Sequence, residues 1–218
     1  MSSINKVLTM SASALLMATA TAAAADEAPV IERPDYHSAT GIFDIDALEA
    51  LGRVDGPCVA PDGTKVLFGI SYENLEQNKS NRELWVMNID GSSQTRLTHT
   101  PSSESGAVWI DGGRSIAFLY PDADGKSQVG VMNADGTDRR QVSRVEGGVS
   151  GFLFSPSEKK VVLIGNVKYS RDAADIYPDL PKATGRVIDD LMYKHWDEWV
   201  TEIPHPFVGD FTGQEIVN

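Results

Sequence analysis

Hydrophobic and polar residues alternate over short stretches along most of the chain, and turn-forming residues separate these stretches. The segment VMNIDG at Val86–Gly91 returns almost unchanged as VMNADG at Val131–Gly136, 45 positions later. Apolar, β-prone residues flank both copies, and an Asp-Gly pair supplies the positive φ angles that a two-residue hairpin turn requires. The pattern therefore predicts a strand, a tight turn and a second strand at each copy.

A second pattern repeats in front of the first. A turn of Pro, Asp, Gly or Ser leads into a β-rich apolar run at Val59 (VAPDGTKVLFGIS), Trp109 (WIDGGRSIAFLY) and Phe154 (FSPSEKKVVLIG). Each unit holds about four strands in about 45 residues, the length of a β-propeller blade. We therefore predict an all-β partial propeller of about three four-stranded blades. Its blades are expected at residues 58–100, 107–145 and 152–218, after a lead segment at 26–57.

The third blade is interrupted. VGDFTG at Val208–Gly213 corresponds to VMNADG, but it follows that segment by 77 positions. The excess predicts an insertion of about 32 residues, at about 169–203, which is too long for a simple hairpin loop. Apolar residues in it recur at steps of three and four, so we predict one helix that ends before Pro204 and Pro206. These apolar positions are Ile188, Leu191, Met192, His195, Trp196, Trp199 and Val200.

The amino-terminal stretch has the features of a secretory signal. Lys6 precedes VLTMSASALLMATATAAAA, an apolar run of mostly small residues that ends in Ala-x-Ala sites before Asp26. This is the pattern of a cleaved export signal. We predict a signal peptide at 1–25 and a periplasmic or secreted protein that is not in the membrane once the signal is removed. The alternative, a membrane anchor, is disfavoured by the low Leu content and by the lack of a charged stop.

Charge and side-chain chemistry exclude several functions. The chain has 31 acidic and 19 basic residues, a net charge of −12, which disfavours a nucleic-acid partner. Cys58 is the only cysteine, so no internal disulfide is possible, and we interpret it as a small buried apolar residue. His37 and His99 need no function.

The predicted helix carries a possible metal site, which its residue types disfavour. His195, Glu198 and Glu202 have helical spacing, with His205 beyond them. Structural zinc sites usually use closely paired Cys or His, and an acidic, solvated helix face explains the glutamates more simply. We therefore predict no metal and no cofactor.

The chain shows no catalytic machinery of its own. A Gly-x-Ser-x-Gly elbow is missing, because GISYE at Gly69–Glu73 lacks the second glycine. Glycine loops that bind phosphate and paired-cysteine metal motifs are also missing. We predict no catalytic residue in this chain.

Three segments resemble a known family. LEALGRVDGPCVAPDGTKVLF, the VMNIDG units and DDLMYKHWDEWVTEIPHPFVGDF are similar to the amino-terminal propeller of exported bacterial prolyl oligopeptidase family serine peptidases, of the dipeptidyl peptidase and acylaminoacyl peptidase type. The resemblance spans Ile42 to Asn218. It implies WD40-like blades, a carboxy-terminal α/β-hydrolase domain with a Ser, Asp and His triad, and short peptide substrates to which the propeller restricts access. The chain would then be an amino-terminal fragment that lacks the triad, with that domain and the peptide as its partners.

The resemblance also implies a substrate site and leaves alternatives open. Dipeptidyl peptidases hold the free α-ammonium group with acidic side chains of a propeller insertion, which points to Asp197 and Glu198. A solvated acidic face is the competing interpretation of these two residues. The PDG and NADG repeats are equally similar to TolB-like periplasmic propellers, which bind proteins without catalysis. A degenerate, open-bladed product without activity is the third hypothesis.

Overall fold

Strands dominate the computed structural model, which describes residues 30–185, 194–195 and 198–217. The strands are β1 (Arg53–Val59), β2 (Lys65–Asn74), β3 (Lys79–Asn88), β4 (Thr95–Arg96), β5 (Ser105–Ile110), β6 (Ser115–Pro121), β7 (Ser127–Asn133), β8 (Arg140–Gln141), β9 (Gly151–Phe154), β10 (Lys160–Lys168), β11 (Lys194–His195), β12 (Glu198–Trp199), β13 (Glu202–Phe211) and β14 (Ile216–Val217). Two short helices accompany them, α1 (Ile45–Ala50) and α2 (Ala173–Ile176), together with a 3-10 turn at Asp111–Gly113.

The strands form three four-stranded antiparallel sheets. Their orders are β1-β2-β3-β4, β5-β6-β7-β8 and β9-β10-β13-β14, and β11 pairs with β12 in a separate ribbon. Strands that follow one another in the chain are neighbours in each sheet, as in a propeller blade. The prediction of a partial propeller with three blades is confirmed. Blade one begins with β1 at Arg53, inside the range that the sequence assigned to the lead segment.

Side chains of alternate strand positions join the blades into one stack. Ile116 and Phe118 of blade two pack with Leu67 and Leu84 of blade one. Ala117, which lies between them in β6, faces the other way and packs with blade three. This period of two is the ordinary geometry of a strand. Blade two is consequently buried on both faces.

The Asp-Gly turns differ in detail from the expected two-residue turns. Gly91 has a φ of 85° and Gly136 a φ of 86°, whereas the preceding aspartates keep negative φ angles. The amide of Gly91 donates to the carbonyl oxygen of Asn88 at 2.9 Å. The turn is therefore a three-residue loop with a glycine bulge, in which only the glycine needs positive φ. The Asp90 carboxylate instead accepts hydrogen bonds from Ser92, and these bonds lower its pKa.

The helix predicted in the insertion is wrong at the positions that the structure describes. Lys194 pairs with Trp199, and His195 with Glu198, in the β11–β12 ribbon. Histidine and tryptophan are mediocre helix formers, and aromatic residues favour strands, so three- and four-residue spacing over so short a stretch does not decide between the two. The predicted apolar positions at 188, 191, 192 and 196 lie outside the described residues. Among the described residues of the insertion, a short helix, α2, is found near its start.

Candidate functional site

The long hairpins of all three blades end on the same face of the molecule, which we call the tip face. It comprises residues 75–78 between β2 and β3, residues 122–126 between β6 and β7, and the insertion between β10 and β13. The first two are tight connections, whereas the third carries the whole insertion. The two described ends of the insertion, Tyr169 and Thr201, therefore lie on this face.

The insertion leaves and re-enters its sheet at adjacent points. The β10–β13 ladder runs as far as the pair Lys168 and Glu202, and the amide of Tyr169 then donates to the carbonyl oxygen of Thr201 at 2.8 Å. The β11–β12 ribbon ends at Trp199, two residues before Thr201. It is therefore joined closely to the end of a regular ladder.

Ion pairs fix the first turn of the insertion. The Lys168 ammonium group lies 2.9 Å from Asp172 and 2.5 Å from Asp175. Hydrogen bonds to Asp175 and Asp172 raise the pKa of Lys168. The same two aspartates form a reciprocal capping box at the start of α2, which satisfies backbone N–H groups that a helix terminus leaves free.

The predicted substrate residues lie only partly within the described structure. Asp197 falls outside it, while the backbone of Glu198 is placed in β12, opposite His195. Along the chain, Glu198 comes four residues before Glu202, where β13 begins. Trp199, next to it, is half-buried. The acidic pair remains a prediction.

The metal candidates lie on different strands: His195 and Glu198 pair across the β11–β12 ribbon, whereas Glu202 and His205 belong to β13. His205 belongs to β13, and its Nδ1 atom lies 3.0 Å from the carbonyl oxygen of Ile203. Within residues 30–185, 194–195 and 198–217, no group of three His, Cys, Asp or Glu side chains is arranged to hold a metal ion. The same ranges contain no helix of the length and hydropathy needed to cross a membrane.

A buried ion pair joins blades one and two just below the tip face. Arg139 contacts Glu104 at 2.8 Å, and Glu104 is completely buried. Thr98 and Thr100 donate hydrogen bonds to the carboxylate at 3.1 and 2.9 Å, and the guanidinium group lies over the Tyr120 ring at 4.7 Å. Burial raises the pKa of Glu104, although Arg139 opposes this. Neither residue was singled out from the sequence.

Two further buried polar residues occupy equivalent blade positions. Glu83 accepts a hydrogen bond from the amide of Thr100 at 2.9 Å, and Gln128 accepts one from the amide of Val145 at 3.1 Å. Glu83 and Gln128 are 45 residues apart, and so are their partners Thr100 and Val145. A polar residue at one position of each repeat is the signal by which these sites can be found in the sequence.

The tip face holds an acidic cavity of about 540 Å³ beside blade one. It lies between residues 30–36, α1 and the β2–β3 tip, with apolar side chains such as Ile31 in its wall. Six carboxylates line it, from Glu32, Asp35, Asp46, Glu49, Glu73 and Glu76. Glu32 is paired with Arg96 and with His99, so His99, assigned no role from the sequence, holds the chain in place here.

A smaller groove of about 330 Å³ lies where blades one and two converge. Strands β1 and β5 each contain a bulge there, with Gly56 and Gly106 both at a φ of 58°. Asp55 and Arg82 form an ion pair in the same wall. Bulges leave backbone groups outside the ladder, so this groove offers peptide N–H and C=O groups in addition to charged side chains. Cys58, on the same strand, is half-buried rather than fully buried.

Comparison with known proteins identifies relatives. The chain is 49% identical over 162 residues to a protein named dipeptidyl-peptidase 5 of Porphyromonas gingivalis, and 40% identical over 169 residues to its namesake in Porphyromonas endodontalis. The matches cover 74% and 78% of this chain. These matches support kinship of the chain with peptidases of the prolyl oligopeptidase family. It spans about a quarter of the length of these two relatives, 24% in each case.

The fold agrees with solved structures of that family. Acylaminoacyl peptidase of Pyrococcus horikoshii superposes with a TM-score of 0.58 at 15% identity, over 77% of this chain and 25% of the other. At this identity the likeness shows the fold alone. No family model matches the sequence.

Proposed function

We propose that the chain is the amino-terminal propeller part of an exported serine peptidase that hydrolyses short peptides. The catalytic triad belongs to an α/β-hydrolase domain outside the chain, and the propeller limits which substrates reach it. The observation that carries this proposal is the 49% identity to a dipeptidyl-peptidase across the blades. Such a relative is long enough to hold a hydrolase domain, since the match covers 24% of it.

The groove between β1 and β5 supports a role in substrate passage. The two strands are the first of their blades and approach each other where the blades converge. Free backbone groups at the Gly56 and Gly106 bulges can pair with an extended peptide without selecting its side chains. A folded protein does not enter a groove of about 330 Å³, so the propeller admits short, extended chains.

The insertion supplies the recognition of the substrate's amino end. A free α-amino group has a pKa of about 8 and is mostly protonated at neutral pH. A carboxylate on the tip face binds this ammonium group through charge-assisted hydrogen bonds. Asp197 and Glu198 are the residues we propose for it, and the backbone of Glu198 belongs to β12, within the insertion.

The test uses the full-length polypeptide and two substrates that differ only in an acetyl group on the amino terminus. We expect hydrolysis of the free dipeptidyl substrate, and we expect Glu198→Gln to raise its KM about tenfold while the KM of the blocked substrate changes less than about twofold. Glu202→Gln is the matched control, because Glu202 is an exposed acid on the adjoining strand β13.

The two parts of the proposal fail separately. Equal KM changes for both substrates would remove the recognition role of Glu198 and leave the peptidase assignment intact. Absence of hydrolysis, together with no labelling by a serine-reactive phosphonate probe, would overturn the peptidase assignment. A TolB-like binding module predicts this second outcome.

A further inference from the structure

The groove between β1 and β5 contains an ion pair within reach of a bound molecule. Arg82 of β3 contacts Asp55 of β1, and both side chains line the groove. Their exposed fractions are 32% and 47%, so a molecule in the groove can touch both charged groups. The groove lies between two blades that pack against each other. Its shape is therefore set by a contact inside the stack.

A glycine of the neighbouring strand makes room for this ion pair. Gly69 of β2 is paired with Asp55 in the β1–β2 ladder. A methyl group on Gly69 would lie 2.8 Å from Oδ1 of Asp55 and 3.0 Å from Cδ of Arg82. The ion pair thus fills the space that a side chain on β2 would otherwise take, and it is held close to the sheet at the wall of the groove.

Hydrogen bonds fix Arg82 in this position and leave some of its donors free. Its amide donates to the Ser103 hydroxyl at 3.1 Å, and its carbonyl oxygen accepts from the amide of Glu104 at 3.0 Å. In the side chain, Nε donates to the Ser71 hydroxyl at 3.4 Å, and Nη2 contacts Asp55. Within the described part of the chain, Nη1 has no partner. Its two N–H groups are therefore available to a ligand.

The surroundings of the guanidinium group match the end of a peptide. Leu84, Val108 and Phe152 give the groove an apolar wall, and the bulges at Gly56 and Gly106 add backbone N–H and C=O groups. A carboxylate next to a peptide group and an apolar side chain is what the carboxyl terminus of a peptide presents. Ligand pockets commonly measure about 300–1,000 Å³, and this groove of about 330 Å³ is at the small end. It accommodates the end of a peptide rather than its full length.

We propose that Arg82 binds the free carboxylate at the carboxyl terminus of a short peptide, and that Asp55 positions the guanidinium group. This inference rests on the proposed function, because it names the peptides that the groove accepts. Hydrogen bonds from arginine to a carboxylate are charge-assisted and stronger than neutral ones. The net charge of the chain is −12, which repels an anionic terminus elsewhere on the molecule. Arg82 therefore favours peptides short enough to place their carboxyl end in the groove.

The experiment measures binding rather than hydrolysis, so it does not depend on peptidase activity. The full-length polypeptide is treated with the serine-reactive phosphonate probe, so that ligands stay intact. It is then titrated by calorimetry with N-acetyl-trialanine and with the carboxamide of the same peptide. The acetyl group removes the free amino end from both ligands. A third ligand, N-acetyl-Ala-Asp-Ala carboxamide, carries its carboxylate on a side chain instead.

The variants are Arg82→Gln and, as the matched control, Arg114→Gln. Arg114 is also paired with an aspartate, Asp111, and is 77% exposed, but it does not line the groove. We expect the wild type to bind the free acid about tenfold more tightly than either carboxamide. Arg82→Gln should remove this preference and change the Kd of the trialanine carboxamide less than about twofold. Arg114→Gln should keep the preference.

Each contrary result overturns the proposal or a stated part of it. Equal Kd values of the wild type for trialanine and its carboxamide would overturn it without any variant, so the comparison holds even if Arg82→Gln fails to fold. A preference that survives in Arg82→Gln would assign the carboxylate to another group. Tight binding of the aspartate ligand would show that the groove recognises acidic side chains instead of the carboxyl terminus. Labelling by the phosphonate probe tests the peptidase assignment separately.

Discussion

At the scale of single residues, the Glu104–Arg139 pair determines how the first two blades respond to pH. Glu104 has no exposed surface, so its ionised form has lost its hydration and is held by Arg139 and two threonine hydroxyls. Burial outweighs these partners and raises the pKa of Glu104 above its ordinary value of 4.5. The folded chain therefore binds this proton more readily than the unfolded chain does.

The sign of the pH effect follows from this shift. A carboxyl group with a raised pKa in the folded state adds stability as the pH falls through that pKa, and the gain is complete below the unfolded value. Glu104→Gln removes this titration and keeps one carbonyl oxygen, which can accept one of the two threonine hydrogen bonds. We expect the wild type to gain unfolding free energy relative to Glu104→Gln as the pH falls from neutral to 4.5, the ordinary pKa of this group. Urea unfolding at both pH values measures the difference, and a constant difference would contradict the assignment.

At the scale of structural elements, two equivalent turns differ in what surrounds them. Gly91 and Gly136 both have positive φ angles, in the turns after β3 and β7. A methyl group at Gly91 would meet nothing within 4 Å, whereas one at Gly136 would lie 2.8 Å from the carbonyl oxygen of Leu97 in the preceding blade. The second turn is therefore part of an interface between blades.

The matched pair Gly91→Ala and Gly136→Ala separates backbone strain from this contact. Alanine in the left-handed region costs about 1 kcal/mol, which both variants should show. Gly136→Ala must also displace the Leu97 backbone, and we expect a total loss of about 3 kcal/mol of unfolding free energy. Chemical denaturation of the two variants gives the comparison. Equal losses of unfolding free energy in the two variants would mean that the Leu97 backbone of blade one moves aside at little energetic cost.

The sequence predicted the elements whose cause is local and missed those whose cause is distant. The Asp-Gly turns were predictable because a glycine with positive φ is needed wherever the hairpin closes. The β11–β12 ribbon was not, since its aromatic spacing fits a helix equally well over a few residues. The bulges at Gly56 and Gly106 arise from pairing with neighbouring strands, and the ion pairs of Glu32 arise from contacts with distant residues. Neither can be predicted from the local sequence. For the substrate site, the sequence proposed Asp197 and Glu198, and this prediction awaits its kinetic test.

At the scale of the whole molecule, the three sheets form a stack with two different ends. Residues 30–36 lie at one end, where Glu32 forms an ion pair with Arg96, and the other end exposes Leu153 and Val208. Both inner interfaces bury the corresponding surfaces. The exposed end therefore has the character of an interface rather than of a solvated surface.

The closeness of Tyr169 and Thr201 has a consequence for the evolution of this blade. The chain departs and returns at adjacent residues, where the amides of Tyr169 and Ser170 both donate to the carbonyl oxygen of Thr201. The length and composition of the insertion can therefore change without any change of register in the β10–β13 ladder.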